Sequence, residues 1–352
     1  MIIKNKNIQS IDLMKYIGSI LIIANHTSSL YEISPSLNFV IINFLSRLVV
    51  PFFFIVAGYF FYKKIQSEEK PYKIYIVYIK RLLTIYIAWT IVYLPYDLIY
   101  PLVSTPTKTF ENYLNIINGY LINFIYWGSH FHLWFFPALI ISTTAIYIIT
   151  IKKIKLKYLL GLALIFYSLG ILGDAYFFLV ANSPLEPLIK FLRSIFKEND
   201  TRLSQGLVFV SLGAWYAKKQ IFIRSYTLLK ILLISIFLFF IEVMILLYLQ
   251  INYPYKNDYN MSIFLVPAAV SLFLFLQKFE LKHKFDSLKY RQYSIIMYCF
   301  HIVPYIFYYT FIYGKFNLKY PHLFLFLFVL LSSHFFAAYL IRSKLPIKKY
   351  LY

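Results

Sequence analysis

Cysteine, acidic residues and glycine are all scarce in this sequence. Cys299 is the single cysteine among 352 residues, which excludes a disulfide within the chain and any metal site built from several cysteines. Only 14 residues are Asp or Glu, and no spacing of His, Asp and Glu suggests a bound metal. The 10 glycines form no glycine-rich phosphate loop. We therefore expect no bound metal and no bound cofactor.

What the chain has in excess is hydrophobicity and positive charge. Hydrophobic residues make up 61% of it, charged residues only 14%, and the mean hydropathy is +0.67, far outside the range of soluble globular domains. The net charge of +21 is typical of basic cytoplasmic loops that meet anionic lipids, so we expect membrane lipid and no nucleic acid as a partner. The N-terminus does not show the pattern of a cleaved signal peptide. The composition predicts a polytopic membrane protein.

Apolar segments recur along the whole chain and predict its fold class. We expect an all-α polytopic membrane helix bundle with about ten transmembrane helices, formed by a single membrane-embedded domain over residues 1–352. Pro51 and Gly58 predict a local break in the second span. Residues 100–130, which carry few charges, are expected to form a long loop. The predicted spans are 11–30, 39–62, 79–99, 131–151, 157–180, 203–217, 227–250, 261–277, 293–313 and 321–341.

Lysine and arginine are distributed unequally between the two sides of these spans. With the N-terminus inside, 26 of the 35 Lys and Arg residues fall in cytoplasmic segments. Because cytoplasmic loops of membrane proteins are enriched in positive residues, this distribution predicts both termini in the cytoplasm. The loops on the other side are too short for a separate catalytic domain, so any chemistry must lie within the bundle.

The first span carries Asp12, Lys15 and His26 in an otherwise apolar sequence. Ionisable groups in a membrane segment are costly and usually face a protein interior or a wet cavity. In a helix, Lys15 and His26 lie on one face, about 16 Å apart along the axis, and Ser19 extends the same polar line. This arrangement favours a functional line of polar side chains that runs from one membrane surface toward the other. The alternative is a signal anchor whose polar residues merely lie near its ends.

Six sequence blocks, in order along the chain, resemble motifs of one family of membrane proteins. They read IDLMKYIGSILIIANH, PFFFIVAGYFFYKK, YIKRLLTIYIAW, HLWFFPALIIS, RLSQGLVFVSLGAWYAKK and SIIMYCFHIVPY. On these blocks the chain resembles the acyltransferase-3 family of integral membrane acyltransferases, which includes bacterial polysaccharide O-acetyltransferases. Two positions depart from the family pattern: Lys15 stands where arginine is usual, and Ala57 where serine is frequent.

The resemblance implies an O-acetyltransferase-like enzyme in the bacterial cytoplasmic (inner) membrane. Its co-substrate would be cytoplasmic acyl-CoA, in the first place acetyl-CoA, and its acceptor a hydroxyl of a glycan or a lipid-linked sugar. Composition alone leaves a second function open, a transporter-like or polysaccharide-export component without acyl transfer. Dependence on acyl-CoA discriminates between the two.

His26 is the candidate catalytic base, because acyl transfer to a hydroxyl needs a group that takes its proton and histidine has a suitable pKa near neutral pH. Its neighbours Thr27, Ser28 and Ser29 offer polar partners for the second ring nitrogen. Glu32 is the second candidate catalytic residue, since it could orient His26 if the helix ends early. The alternative for Glu32 is a solvated loop acid.

The phosphates of an acyl-CoA donor predict a cationic patch on the cytoplasmic side. Lys15, Lys80 and Arg81 are the candidate donor-binding residues, and Arg81 is the strongest because its planar fork fits phosphate. Lys80 and Arg81 could also be ordinary positive-inside charge, which is our interpretation of Lys63, Lys64 and Lys73. Asp12 and Lys15 are spaced to pair with each other.

Candidate acceptor contacts lie at the outer ends of spans or inside them. A sugar could stack on Trp134 and hydrogen-bond His132, next to His130, although an aromatic interface belt would have the same composition. His301, inside the ninth span, fits either a ligand contact or a satisfied core histidine. The full set of candidate acceptor or pocket residues is Tyr59, His132, Trp134, Arg202 and His301.

Overall fold

The protein is a bundle of α-helices in a computed structural model that describes residues 8–195, 202–219, 223–252, 259–281, 286–315 and 318–352. Those residues contain no β-strand, so the prediction of an all-α polytopic bundle is confirmed. The helices are α1 Gln9–Thr27, α2 Pro35–Val40, α3 Val49–Gln66, α4 Pro71–Leu94, α5 Tyr100–Ser104, α6 Phe110–Ile122, α7 Phe135–Ile151, α8 Leu156–Gly173, α9 Glu186–Ile195, α10 Arg202–Lys219, α11 Ser225–Asn252, α12 Leu265–Lys278, α13 Ser287–Phe300, α14 Ile302–Phe311, α15 Pro321–Arg342 and α16 Lys348–Leu351.

Each predicted span overlaps one of these helices or a continuous run of them, but the fifth was predicted too long, because α8 ends at Gly173 and the predicted span continues to residue 180. Within the described ranges, six helical runs are long and apolar enough to cross a membrane, and α7 and α12 are shorter apolar helices. The number of spans and the side on which the termini lie stay predictions. The six runs are Pro35–Gln66, Pro71–Ser104, Leu156–Gly173, Ser225–Leu249, Ser287–Phe311 and Pro321–Arg342.

The expected long loop over residues 100–130 is wrong, because most of this stretch is helical. A π-helical turn, Pro95–Ile99, joins α4 to α5, and α6 ends in a second π-helical turn, Asn123–Trp127. The apolar residues of α6 recur at the three- and four-residue spacing of a helix face, and few charges interrupt them. The sequence signal for a helix was therefore present in the segment assigned to a loop.

The expected break at Pro51 and Gly58 is also wrong, because α3 runs through both residues. Pro51 lies in the first turn of α3, where a helix has no partner for the missing N–H. The irregular turns of this span lie upstream instead, as a π-helical turn at Ile41–Leu45 and a 3-10 turn at Ser46–Leu48.

Gly58 serves a close contact between α3 and α10. A Cβ added at Gly58 would lie 2.1 Å from the backbone oxygen of Val210, and one added at Gly213 would lie 2.1 Å from that of Ile55. The backbones of the two helices therefore touch at a reciprocal pair of glycines. Small residues at helix crossings allow this approach in membrane bundles.

We expect Gly58→Ala to destabilise the bundle by about 1–3 kcal/mol, because the methyl group meets backbone that cannot move aside. The measurement is the thermal unfolding midpoint of the purified protein in detergent. Gly161→Ala is the matched control, since a Cβ there meets nothing within 4 Å. An unchanged midpoint for Gly58→Ala would show that the two helices can separate without cost.

Helix α1 connects the two hydrophobic cores of the bundle. Ile11, near its start, belongs to the core that contains Phe52 and Phe209, whereas Ile23 belongs to the core that contains Trp89. Its main neighbour is α13. The polar residues of α1 therefore lie between the two halves of the structure, where the candidate site is found.

Candidate active site

A cavity of about 320 Å³ opens beside the first half of α1. Four cationic side chains line it together with one carboxylate, and most of the remaining lining is apolar or aromatic. The cavity thus combines a cationic region with a hydrophobic wall, an arrangement suited to a ligand with both phosphates and an apolar part. The charged lining residues are Asp12, Lys15, Lys64, Arg81 and Arg291.

Asp12 holds two of these cations in place. Arg291 donates from Nε to Asp12 Oδ1 at 2.9 Å and from Nη2 to Oδ2 at 2.8 Å, and Lys15 Nζ lies 3.8 Å from Oδ1. The Asp12 side chain is only 1% exposed, so its charge depends on these partners. The expected pairing of Asp12 with Lys15 is present. Sequence reasoning missed Arg291, although a buried acid in a span calls for a basic partner.

The predicted donor-binding residues divide into two groups. Lys15 and Arg81 both line the cavity, whereas Lys80 is not among the lining residues. Lys64, which we interpreted as ordinary loop charge, contributes to the cavity instead. Adjacent residues of a helix point in directions about 100° apart, which is why Lys80 and Arg81 separate.

Four histidines form a cluster near the other end of α1. His26 stacks on His301 with ring centroids 5.2 Å apart, His301 meets His132 at 5.1 Å, and His132 meets His130 at 5.1 Å. His26 is half-buried and also contacts the ring of Phe131 at 5.2 Å. One place in the fold thus brings together residues from α1, from the segment before α7 and from the α13–α14 junction. We name these four residues the histidine cluster.

The three buried histidines of this cluster each use one ring nitrogen in a hydrogen bond. His301 Nδ1 donates to the backbone oxygen of Tyr298 at 2.8 Å, and His132 Nε2 donates to that of Cys299 at 3.2 Å. His130 Nδ1 lies 2.7 and 2.9 Å from the two carboxylate oxygens of Asp97. Because carbonyl and carboxylate oxygens only accept, these nitrogens carry the protons. The other ring nitrogen of each, His130 Nε2, His132 Nδ1 and His301 Nε2, is buried and has no hydrogen-bond partner among the described residues.

Tyr298 joins the cavity to the histidine cluster. Its side chain lines the cavity, its hydroxyl donates to the backbone oxygen of His132, and its own backbone oxygen accepts from His301. Tyr298 also contacts Phe135, another residue of the cavity wall, with ring centroids 5.9 Å apart. One aromatic side chain therefore borders both the cationic cavity and the imidazoles.

Glu32 lies against His322 in the structure. The backbone N–H of His322 donates to Glu32 Oε1 at 3.0 Å, and its ring Nδ1 contacts the same oxygen. Burial raises the pKa of the Glu32 carboxyl, but the hydrogen bonds from His322 outweigh it and the pKa lies below its usual value. The structure therefore places Glu32 as the partner of a histidine outside the cluster.

Two other predicted acceptor residues lie apart from the histidine cluster, and the structure does not describe the side chain of a third. Tyr59 packs on Phe273 and hydrogen-bonds Gln277 on α12. Trp134 precedes α7 and contacts the ring of Phe54 at 5.8 Å. Arg202 is the first residue of α10, and its side chain lies outside the described part of the structure. His132 and His301 are the two predicted acceptor residues that the cluster brings together.

The match to a protein family covers this site and nearly the whole chain. The acyltransferase-3 family model, described as an acyltransferase domain, matches residues 8–342. The chain belongs to the acyltransferase-3 family. Family membership and the apolar helices together identify a multi-pass membrane protein with an acyltransferase domain.

Three curated proteins to which this acyltransferase-3 chain is similar carry racemase names. An amino-acid racemase of Enterococcus faecalis is 26% identical over 80% of this chain and 37% of its own length, and a second from that organism is 28% identical over 78% and 38%. A serine/alanine racemase of Enterococcus gallinarum is 29% identical over 52% of this chain and 25% of its own length. This chain therefore spans less than two-fifths of these relatives. No solved structure matches it.

Proposed function

We propose that this acyltransferase-3 protein transfers an acyl group, most simply acetyl, from cytoplasmic acyl-CoA to a hydroxyl of a glycan or lipid-linked sugar. The observation that carries the proposal is the continuity of the site: a cationic cavity borders, through Tyr298, a cluster of histidines whose second ring nitrogens have no hydrogen-bond partner among the described residues. The racemase names belong to proteins of which more than three-fifths lies outside the match, so they support no racemase activity for this chain.

The cavity is the proposed donor site. The phosphates of acyl-CoA would contact Lys15, Lys64, Arg81 and Arg291, whose four positive charges exceed the single negative charge of Asp12. Arginine suits this role because its planar fork binds phosphate with two hydrogen bonds. Under the predicted topology the cavity lies toward the cytoplasm, where acyl-CoA is made available, and the protein lies in the bacterial inner membrane.

The histidine cluster is the proposed reaction centre, with His26 as the base. The acceptor oxygen attacks the thioester carbonyl, the bond from carbon to sulfur breaks, and a new ester forms. His26 takes the hydroxyl proton and returns it to the departing thiolate, so that the products are an ester and free thiol. His132 and His301 would contact the acceptor. Glu32 stays in this proposal as the second candidate catalytic residue, with His322 as its hydrogen-bond partner.

Cells that express the wild-type protein test the proposal against cells that lack it. We expect base-labile acyl esters on the glycan or lipid-linked sugar fraction only when the wild-type protein is present. His26→Gln, at equal abundance in the membrane, is expected to give the level of the cells that lack the protein. Equal ester content in all three strains would contradict acyl transfer and favour the alternative of a transport or export component.

Arg81→Gln is expected to raise the KM for acyl-CoA about 10–100-fold, because a charge-assisted hydrogen bond to phosphate is lost. The measurement is initial transfer rate against acyl-CoA concentration in isolated membranes. Lys73→Gln is the matched control, since Lys73 is exposed near the start of the same helix and does not line the cavity. Equal KM values for the two variants would remove Arg81 from the donor site.

A further inference from the structure

The π-helical turn that ends α6 contacts the middle of the long helical run Pro71–Ser104. The hydroxyl of Tyr86 donates to the backbone oxygen of Phe124 at 2.7 Å, and the rings of the two residues stack with centroids 5.0 Å apart. A membrane crossing needs about 20 residues, and any stretch of that length within this run of 34 residues includes Tyr86. The end of α6 therefore lies at the depth of the hydrocarbon core.

The rest of α6 runs along the second half of the same helical run. It packs against α5 and against the π-helical turn Pro95–Ile99, both of which follow Tyr86 in the run. Because α6 begins after Ser104 and ends beside Tyr86, it is antiparallel to this half. Ser104 is the last residue of the run and so lies at or beyond the membrane surface. α6 therefore leads from that surface into the membrane interior.

The segment that follows α6 is irregular at this depth. Gly128 has a φ of +91°. The backbone N–H of Ser129 donates to the Tyr86 hydroxyl at 2.8 Å, and Ser129 Oγ lies 2.7 Å from Thr90 Oγ1. Within a membrane, irregular backbone is tolerated where protein buries it, and Gly128, Ser129 and His130 are all buried. The burial of this segment agrees with its placement inside the membrane.

α6 carries an apolar stripe that the rest of the bundle leaves exposed. Its members recur every three or four residues, which places them on one face of the helix and of the π-helical turn that ends it. Each is at least 37% exposed. An exposed apolar surface of this kind marks contact with lipid or with another protein. The stripe consists of Phe110, Leu114, Ile117, Leu121 and Ile125.

A second exposed face of α6 is polar and carries Glu111, Asn115 and Asn118. Amide and carboxyl groups that face hydrocarbon find no hydrogen-bond partner there, so a helix surrounded by lipid would not present them. A helix surrounded by water, in turn, would not present five large apolar side chains. One apolar face beside one polar face fits a helix at the boundary between lipid and water.

We propose that α6 is a half-inserted helix whose apolar stripe contacts lipid acyl chains and whose asparagine face meets water. The depth of Phe124 is the reason that lipid, rather than a soluble partner protein, covers the stripe. The lipid belongs to the leaflet next to Ser104, which is the outer leaflet under the predicted topology. This inference concerns how the protein meets the membrane and goes beyond the proposed acyl transfer.

The test attaches a spin label to single cysteines in a Cys299→Ala background, with the protein in phosphatidylcholine liposomes. Leu114→Cys and Asn115→Cys form a matched pair, because both positions are exposed and adjacent but point about 100° apart. Electron paramagnetic resonance measures how often each label collides with oxygen, which partitions into lipid, and with a water-soluble nickel chelate. Leu121→Cys probes a position closer to the end of α6 that contacts Tyr86.

We expect the ratio of oxygen to nickel collisions to be several times higher at Leu114 than at Asn115, and higher still at Leu121. Ile117→Cys takes the place of either leucine variant if that labelled protein unfolds at a lower temperature than its parent. The rise from Leu114 to Leu121 is the specific mark of a helix that descends into the membrane, because oxygen is more concentrated and nickel scarcer toward the bilayer centre.

Two further labels calibrate the measurement. Phe237→Cys is the lipid reference, because Phe237 is exposed in the middle of the apolar run Ser225–Leu249, and Lys108→Cys is the water reference in the loop before α6. Labels at Leu114 and Leu121 that match Lys108 would place α6 in water and overturn the inference. Labels shielded from both reagents, with spin–spin coupling between chains, would assign the stripe to a second copy and overturn it equally. Neither result bears on acyl transfer.

Discussion

His26→Gln is expected to reach the membrane at normal abundance and to lose about 10²–10⁴-fold in acyl-transfer rate, as removal of a general base does. The half-buried position of His26 at the edge of the histidine cluster is the reason that a neutral amide should fold there. The KM for acyl-CoA should change little, since His26 is not among the residues that line the cavity. The measurement is single-turnover transfer in membranes with matched protein content.

His334→Gln serves as the control for this substitution, because it makes the same chemical change at a half-buried histidine of α15. It is expected to leave the transfer rate unchanged. Near-normal transfer by His26→Gln would assign a structural role to His26 and make His301 or His132 the next candidate for the base.

Arg291→Gln is expected to cost about 3 kcal/mol of stability, because it leaves the buried Asp12 carboxylate without its main partner. This value is at the lower end for a broken buried pair, since Arg291 is 35% exposed and Lys15 stays near Asp12. The double variant Asp12→Asn, Arg291→Gln removes both charges and is expected to be more stable than Arg291→Gln alone. Thermal unfolding in detergent of the wild type, Asp12→Asn, Arg291→Gln and the double variant measures the coupling.

If the losses in the free energy of unfolding are additive, so that the double variant is less stable than either single variant, a direct coupling between Asp12 and Arg291 is contradicted. The same proteins also report on the donor site. If the pair presents Arg291 to the donor, both single variants should raise the KM for acyl-CoA, whereas Lys73→Gln, away from the cavity, should not.

The sequence was sufficient for the positions of the membrane helices and for part of the site. Hydropathy places the apolar segments, whereas charge alone assigned both Lys80 and Arg81 to the donor site, and only Arg81 lines the cavity. Lys15 and Arg81 were both assigned to the donor site from charge and chemistry, and both line one cavity. His26, His132 and His301 were chosen separately and meet in one cluster.

The parts that the sequence did not indicate depend on contacts between distant segments. Asp12 and Arg291 are 279 residues apart, and Asp97 and His130 are 33 apart on different elements. Periodicity predicts that a helix forms, but it does not say which helix lies next to it. The role of Gly58 was missed for the same reason, since only the packed structure shows α10 against it. Glu32 was linked to His26 by closeness in sequence, whereas folding brings it to His322.

The most direct test of acyl transfer follows a labelled acyl group. Purified protein in liposomes is supplied with acyl-labelled acetyl-CoA on the side of the cationic cavity and with a lipid-linked sugar as acceptor. We predict that the label moves from thioester to ester with wild-type protein, that the His26→Gln protein shows no such movement, and that the Arg81→Gln protein shows it only at high acetyl-CoA concentration. A wild-type protein that forms no labelled ester, yet carries a solute across the same liposomes without acetyl-CoA, would contradict the account.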